Sequence, residues 1–201
     1  MGRRKVRTQE LRGELATAAV GLLAAGGSAA VTTRAVASEA GSSIAAVHEL
    51  FGGKAGLVRA VFAAGFARLA AELAELPPAA DPEAGVLDLA LAMRSFARRE
   101  PHLYEVMFAR PFAEFRPGAA DARAADAIYA IVVGRVAAVL GADRPKGAAK
   151  DAAIGLFATV QGLVGLEAAG LLGSGPASAD RRFRHTVIAA LRGFAAASPQ
   201  P

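Results

Sequence analysis

Residues 28–57, which decide the fold, run SAAVTTRAVASEAGSSIAAVHELFGGKAGL. Two short helical patterns in this stretch are joined by Ala40-Gly41-Ser42, with glycine at a position open to positive φ. Two short helices joined by a tight turn are the outline of a helix-turn-helix, whose second helix enters the major groove of DNA. The stretch therefore predicts a small DNA-binding headpiece.

Local signals mark where the two short helices begin. Thr32 is placed to cap the first helix and Ser42 or Ser43 the second, because their hydroxyls accept hydrogen bonds from otherwise unpaired amides. Apolar residues at helical spacing give each helix one face that we expect to be buried. These expected core residues are Val31, Val36, Ala37, Ala40, Ile44, Val47 and Phe51, with Leu50 at the edge.

The remainder of the chain is also predicted to be helical. Before the headpiece, a 3-4 spacing of apolar residues predicts a helix over 8–25 that ends at Gly26-Gly27, preceded by a disordered arm over 1–6. We find no alternating strand pattern and no internal repeat, so the expected fold is all-α. The later helical patterns cover about 54–76, 83–99, 101–114, 120–141, 147–172 and 179–197.

Composition excludes several classes of site. The chain has no cysteine, which removes disulfides and thiolate chemistry, and His102 with Glu105 has no further ligand cluster, so neither metal nor cofactor is expected. Met1–Arg12 is charged and lacks a following apolar run, unlike a secretory signal. Ala152–Leu166 is uncharged but shorter than the roughly 20 residues of a membrane span. A cytoplasmic protein without membrane contact is expected.

The positive charge is concentrated at the N-terminus. Residues 1–60 contain eight Lys or Arg against four acidic residues, whereas residues 61–201 contain 15 against 14. A basic N-terminal third on a nearly neutral body suits attraction to phosphate. A solvated basic tail explains the charge alone equally well.

A long spaced pattern gives the headpiece a family resemblance. It resembles the N-terminal domain of the TetR family of transcriptional repressors over about residues 8–62. The resemblance implies a three-helix DNA-binding domain with its arm over 1–53, a connecting helix and linker over 54–82, and a ligand-binding and dimerisation domain over 83–201. The matching positions are Leu15, Ala18, Ala19, Leu22, Leu23, Gly27, Val31, Thr32, Arg34, Val36, Ala37, Ala40, Gly41, Ser43, Val47, Phe51, Lys54 and Leu57.

The second half is similar to one effector domain of the same family. The cues are Glu100-Pro101-His102-Leu103-Tyr104 with Met107-Phe108, and a later Gln161-Gly162 followed by Leu166-Glu167. The resemblance implies a pocket for a small apolar effector, with His102 and Gln161 as sparse polar groups. Ordinary core packing is the competing interpretation. The candidate ligand-binding residues are Phe96, His102, Tyr104, Met107, Phe108, Phe112, Phe157 and Gln161.

The family motif also places the candidate DNA contacts. Residues at the starts of the second, third and fourth helices are expected to contact phosphates or bases, and the N-terminal cations to add phosphate or minor-groove contacts. His48 stands where the family usually has tyrosine, and Leu50 where it has an aromatic residue or histidine. The candidates are Arg3, Arg4, Lys5, Thr32, Thr33, Arg34, Ser42, Ser43, Ala45, Ala46, His48 and Lys54.

A stripe of small residues follows one side of the 147–172 helix. Such a stripe lets another helix approach closely, either from the same chain or from a partner. Since family members dimerise through their last two long helices, the resemblance favours a homodimer that binds a palindromic operator in double-stranded DNA. The stripe consists of Gly155, Ala158, Gly162, Gly165 and Ala169.

The function expected is repression of transcription, relieved when a small apolar ligand binds. Three alternatives stay open from the sequence: a helical enzyme, for which no catalytic constellation is visible; an activator or architectural DNA binder; and a sensor of the same fold that binds DNA weakly. The third alternative rests on His48 and Leu50, and on a recognition helix without Arg, Lys, Asn or Gln.

Overall fold

The computed structural model describes the backbone of residues 2–79, 81–109, 111–145 and 147–197, and the side chains in these ranges from residue 8 onward. Within these ranges the chain forms helices and no strand, which confirms the all-α expectation. The α-helices are α1 Gly2–Ala30, α2 Thr33–Glu39, α3 Ile44–Phe51, α4 Lys54–Ala74, α5 Pro82–Arg99, α6 Pro101–Phe108, α7 Ala119–Ala122, α8 Asp126–Leu140, α9 Ala148–Ala168 and α10 Pro176–Ala196.

Helix α1 is longer than expected at its N-terminus. Its backbone is helical from Gly2, so the predicted disordered arm is wrong. Near its other end Gly27 takes φ 65°, a value that glycine adopts without steric cost, and helical geometry is interrupted there as the sequence indicated. Leu15, Ala19 and Leu23 are buried and carry the core face of this helix.

The segment after α5 differs most from expectation. The helix predicted over 101–114 ends at Phe108, and residues 109 and 111–118 are not helical. Pro111 and Pro117 account for this, because proline lacks an amide hydrogen and disfavours helix in the residue before it. The helix predicted over 120–141 is interrupted by a 3-10 turn at Arg123–Ala125.

The chain divides into two compact units. The first consists of Met1–Arg68 and Arg98–Ala125, and the second of Leu69–Ala97 and Asp126–Pro201. Residues 98–125 therefore cluster with the headpiece, whereas the sequence grouped them with the ligand-binding domain. The reason is local: Leu103 and Met107 of α6 pack over Gly65 of α4, where a side chain would collide with them.

Two helices are long and apolar enough to cross a membrane by length and composition alone, Thr8–Ala30 and Ala148–Ala168, each with mean hydropathy 1.2. Core helices of soluble proteins meet the same criterion. Both helices contribute buried side chains to their own unit, including Leu15 and Leu23 of α1 and Leu156 and Val160 of α9.

Candidate nucleic-acid interface

Side-chain caps fix the starts of both helices of the helix-turn-helix. The Thr32 hydroxyl accepts a hydrogen bond from the Ala35 amide at 3.1 Å. The Ser43 hydroxyl accepts one from the Ala46 amide, also at 3.1 Å. Ser43 is therefore the cap of α3, and Ser42 is not. Each cap satisfies an amide that the first helical turn leaves without a backbone partner.

The turn between the helices depends on one glycine. Gly41 has φ 57°, in the left-handed region that side chains other than glycine rarely adopt. The Ser42 amide then donates to the Ala37 carbonyl at 2.8 Å and closes the end of α2. Val36, Ala37, Val47 and Phe51 are buried between the helices as predicted.

The outward face of α3 is formed by Ile44, Ala45, His48 and Glu49, all exposed, with Ala46 and Leu50 partly exposed. The prediction that Ile44 belongs to the core is wrong, since 42% of it is exposed. The helix begins at Ile44, so this residue projects from the first turn, ahead of the buried Val47 and Phe51. The face is thus apolar in its first turn and polar in its second.

A cation on α1 holds the other end of α3. The Arg12 guanidinium donates to the carbonyl of Leu50 and lies over the Phe51 ring, 4.6 Å from its centroid. A positive charge near a helix C-terminus stabilises the carbonyls that lack backbone partners. Arg12 positions the recognition helix, and sequence reasoning missed it because nothing marks one arginine on a long helix as a partner.

The described cationic residues of the headpiece and α4 differ in whether they form ion pairs. Lys54 pairs with Glu114 at 2.7 Å and Arg59 with Asp121 at 2.8 Å. Arg34 is exposed and forms no ion pair with any residue that the structure describes. Residues 8–60 contain four cationic and four acidic residues. The positive excess of the N-terminal third therefore comes from Arg3, Arg4, Lys5 and Arg7. Those four side chains lie outside the described residues.

Residues 112–115 and the α7 residue Asp121 contact the first turns of α4. Lys54 Nζ lies 5.2 Å from the centroid of Phe112, and the Arg59 guanidinium lies 5.4 Å from that of Phe115. The hydrogen bond from Lys54 lowers the pKa of Glu114. The Gly118 amide, and next Arg59, lower the pKa of Asp121 despite its burial.

Comparison with known proteins identifies this arrangement. Residues 15–61 match the family model described as "Bacterial regulatory proteins, tetR family", and residues 86–191 match "Tetracyclin repressor-like, C-terminal domain". The chain belongs to the TetR family. It is a DNA-binding transcriptional regulator and not an enzyme. No curated protein matches the sequence significantly.

Solved structures agree with this TetR-family assignment. A protein of unknown function from Rhodococcus sp. RHA1 is 30% identical, with a TM-score of 0.69 over 92% of this chain and 93% of that one. The transcriptional regulator SCO7222, a TetR from Streptomyces coelicolor, is 24% identical, with a TM-score of 0.65 over 91% and 96%. A TetR-family transcriptional regulator from the same organism is 20% identical, with a TM-score of 0.66 over 92% and 99%. The last two show the shared fold.

In this TetR-family chain the predicted effector residues fall into both units. His102, Tyr104, Met107, Phe108 and Phe112 belong to the first, where most serve as core. The rings of Tyr104 and Phe108 lie 4.6 Å apart, and Phe108 meets Phe66 of α4 at 5.4 Å. The His102 ring packs beside Gly27 at the interruption in α1.

The other predicted effector residues, Phe96, Phe157 and Gln161, belong to the second unit. Phe96 is buried, Phe157 and Gln161 are partly exposed, and the amide nitrogen of Gln161 is inaccessible to solvent. The structure shows two open grooves, of about 740 and 320 Å³, and neither is lined by a predicted effector residue. The larger groove is lined by residues of α1 and the end of α2, and the smaller one lies beside Arg135. No group of three potential metal ligands occurs among the described side chains.

A buried arginine network in the second unit escaped sequence reasoning. Arg94 of α5 donates two hydrogen bonds of 2.7 Å to Glu167 of α9 and one of 2.8 Å to Asp180 of α10. Its guanidinium also lies over the ring of Phe183, 4.7 Å from the centroid. Arg94 therefore joins three helices. The two carboxylate partners of Arg94 lie 73 and 86 residues away from it along the chain, beyond any local pattern.

The small-residue stripe on α9 is mostly uncovered within the unit. Ala158, Gly162, Gly165 and Ala169 are exposed, and a side chain added at Gly162 or Gly165 would meet no atom within 4 Å. Gly155 differs, because a side chain there would collide with the ring of Phe194 on α10. Gly155 thus serves packing inside the chain, and the other four residues form an open face.

Proposed function

We propose that this chain is a homodimeric repressor that binds a palindromic operator and leaves it when a small apolar molecule binds. The observation that carries the proposal is the exposed face of α3, presented by a capped helix-turn-helix. That geometry suits insertion into the major groove, while the buried Val47 and Phe51 hold the helix to its support. The protein would act in the cytoplasm and lie on the nucleoid when bound.

Phosphate contacts in this proposal come from the helix starts. Thr32, Thr33 and Arg34 cluster at the beginning of α2, with Arg34 exposed and Thr33 partly exposed. Thr32 uses its oxygen as an acceptor for the cap, so its hydroxyl hydrogen stays available to a phosphate. Lys54 would exchange Glu114 for a phosphate oxygen, and Arg3, Arg4 and Lys5 would add counterion release.

Dimerisation in this proposal uses the open face of α9. Ile154 and Leu166, exposed by 58% and 44%, flank Ala158, Gly162, Gly165 and Ala169. Exposed branched side chains beside small residues supply both apolar area and close helix approach. A two-fold partner covering this face would bring two recognition helices to one palindrome.

The proposal that a ligand releases the DNA rests on two residues of α9. Phe157 and Gln161 lie one turn apart on α9 and present an aromatic ring and an amide, the mixture of mostly apolar and few polar groups that effector pockets use. Screening apolar compounds by thermal shift, then by release of bound DNA, tests this. A compound that releases the wild-type protein should release Gln161→Leu less, with unliganded DNA affinity unchanged.

DNA binding itself is tested by selecting sites from random duplexes and measuring affinity against salt. We expect a palindromic site, a steep fall in affinity as salt rises, and uniformly weaker binding to all sequences for Lys54→Ala. Lys150→Ala removes an exposed cation of the second unit and is the matched control. Salt-insensitive binding, or no selected sequence, would overturn the proposal.

A second function is favoured by one observation. Helix α3 offers no Arg, Lys, Asn or Gln, the side chains that bind guanine or adenine in bidentate fashion. A sensor of the same fold with weak or altered DNA binding would look like this, and an activator would share the headpiece. Transcription from a reporter carrying the selected site separates repression, activation and no effect.

A further inference from the structure

We infer that Ile44 determines sequence specificity by packing on the 5-methyl group of thymine. The inference rests on the proposed DNA binding and adds a residue that sequence reasoning had assigned to the core. In the structure Ile44 is the first residue of α3 and 42% exposed.

The position of Ile44 on the helix carries the first step. In helix-turn-helix proteins the N-terminal residues of the recognition helix contact the base edges. In this chain those outward residues are Ile44 and Ala45, whereas His48 and Glu49 follow one turn later. The part of α3 that would lie deepest in the groove is therefore apolar.

The chemistry of the groove carries the second step. Each base edge in the major groove presents hydrogen-bond donors or acceptors, and thymine alone adds an apolar group, its methyl. An isoleucine side chain offers no hydrogen bond and gains free energy only by leaving water against another apolar surface. Thymine is thus the base that Ile44 can favour, and Ala45 leaves room for close approach.

The local structure holds Ile44 in place. Ser43 caps the helix directly before it through the 3.1 Å bond to Ala46, and Val47 is fully buried one turn later. The branched side chain has few rotamers in a helix, so little conformational freedom is lost on contact. Single exposed apolar residues are common on protein surfaces. Ile44 is distinguished by standing on the DNA-facing turn of α3.

The test removes one methyl group at a time. In the selected operator, each thymine is replaced singly by deoxyuridine, which keeps every hydrogen bond and lacks only the methyl. For the wild-type protein we expect one thymine in each half-site whose replacement weakens binding about fourfold. For Ile44→Ala we expect the affinity to be lower at the outset and the same replacement to have no effect.

Leu171→Ala is the control, because Leu171 is an exposed aliphatic residue of the second unit at 70% exposure. It should retain the wild-type response to deoxyuridine. The inference alone is overturned if the operator is bound and no thymine methyl matters, or if Ile44→Ala responds like the wild-type protein. Failure to select any operator overturns the proposed function and this inference with it.

Discussion

The helix-turn-helix is stabilised by hydrogen bonds between residues close in sequence, whereas the Arg94 network joins residues far apart in sequence. In the headpiece the capping hydrogen bonds join residues three apart: Thr32 with Ala35 and Ser43 with Ala46. In the second unit Arg94 binds carboxylates 73 and 86 residues away. The first kind leaves a signature in adjacent residues, and the second leaves none. The comparison predicts where substitutions cost most.

The largest effect is expected for Arg94→Met. It leaves the carboxylates of Glu167 and Asp180 without their shared cation, and breaking a buried ion pair from one side costs about 3 kcal/mol of unfolding free energy. Urea unfolding measures it. Arg184→Met, which removes the exposed partner of Asp180, is the control and should cost under about 0.5 kcal/mol. Equal effects would show that the network contributes no more than a surface pair.

The open face of α9 gives the next effect. Gly162→Leu is expected to weaken the proposed dimer at least about tenfold, because a large side chain overfills a closely packed seam. Gly134→Leu is matched, since both glycines are helical, exposed and without atoms nearby. Sedimentation of both variants provides the measurement. If Gly162→Leu dimerises as strongly as the wild-type protein, the subunit interface lies elsewhere.

A cap is worth less than the network. Ser43→Ala should lower the unfolding free energy by about 1 kcal/mol, because the Ala46 amide loses its acceptor. Ser42→Ala, one residue earlier and outside the cap, should change it little. If the two substitutions lower the unfolding free energy equally, capping is not what stabilises the start of α3.

A smaller effect concerns the pair between Lys54 and Glu114. Glu114→Gln should raise DNA affinity about twofold to fivefold. In this variant Lys54 has no ion pair to break before it binds a phosphate. Fluorescence anisotropy on the selected operator measures this. The Lys54→Ala variant should show no further gain when Glu114→Gln is added, and a gain there would mean that the carboxylate simply repels DNA.

The smallest effect concerns acid stability. The pKa of Asp121 is lowered in the folded protein, so its contribution is present above the unfolded pKa of about 4 and is lost as pH falls through the folded value. Asp121→Asn should therefore be less stable than wild type at pH 7, with the difference shrinking toward pH 3. Arg59→Gln should remove only part of the difference, because the Gly118 amide is the larger cause. A pH-independent difference would exclude this linkage.

Much of the headpiece was predictable from sequence. The cap at Thr32, the positive φ of Gly41 and the buried Val47 and Phe51 follow from residue types at fixed spacing, whereas the sequence left Ser42 and Ser43 as alternatives and the structure selects Ser43. Ile44 was misplaced because an apolar residue at a helix start fits a core face or an outward face equally well. Periodicity over eight residues does not separate the two.

The effector and subunit surfaces were predictable only in outline. Small residues on α9 were visible, yet nothing in the sequence separated Gly155, which faces Phe194, from Gly162, which faces open space. The aromatic residues of α6 suggested a pocket, and several of them pack on Phe66 and one another. Spacing along one helix does not specify which other helix lies against it.

By itself the sequence determined the all-α class, the helix-turn-helix and the family, because caps, glycine turns and helical spacing act between near neighbours. The tertiary structure alone decided that residues 98–125 pack with the headpiece, that Lys54 is held by Glu114, and that Arg94 joins three helices. The ion pairs of Lys54, Arg59 and Arg94 join residues 60 or more positions apart. Their partners are chosen by how the helices pack, and packing depends on the whole chain at once.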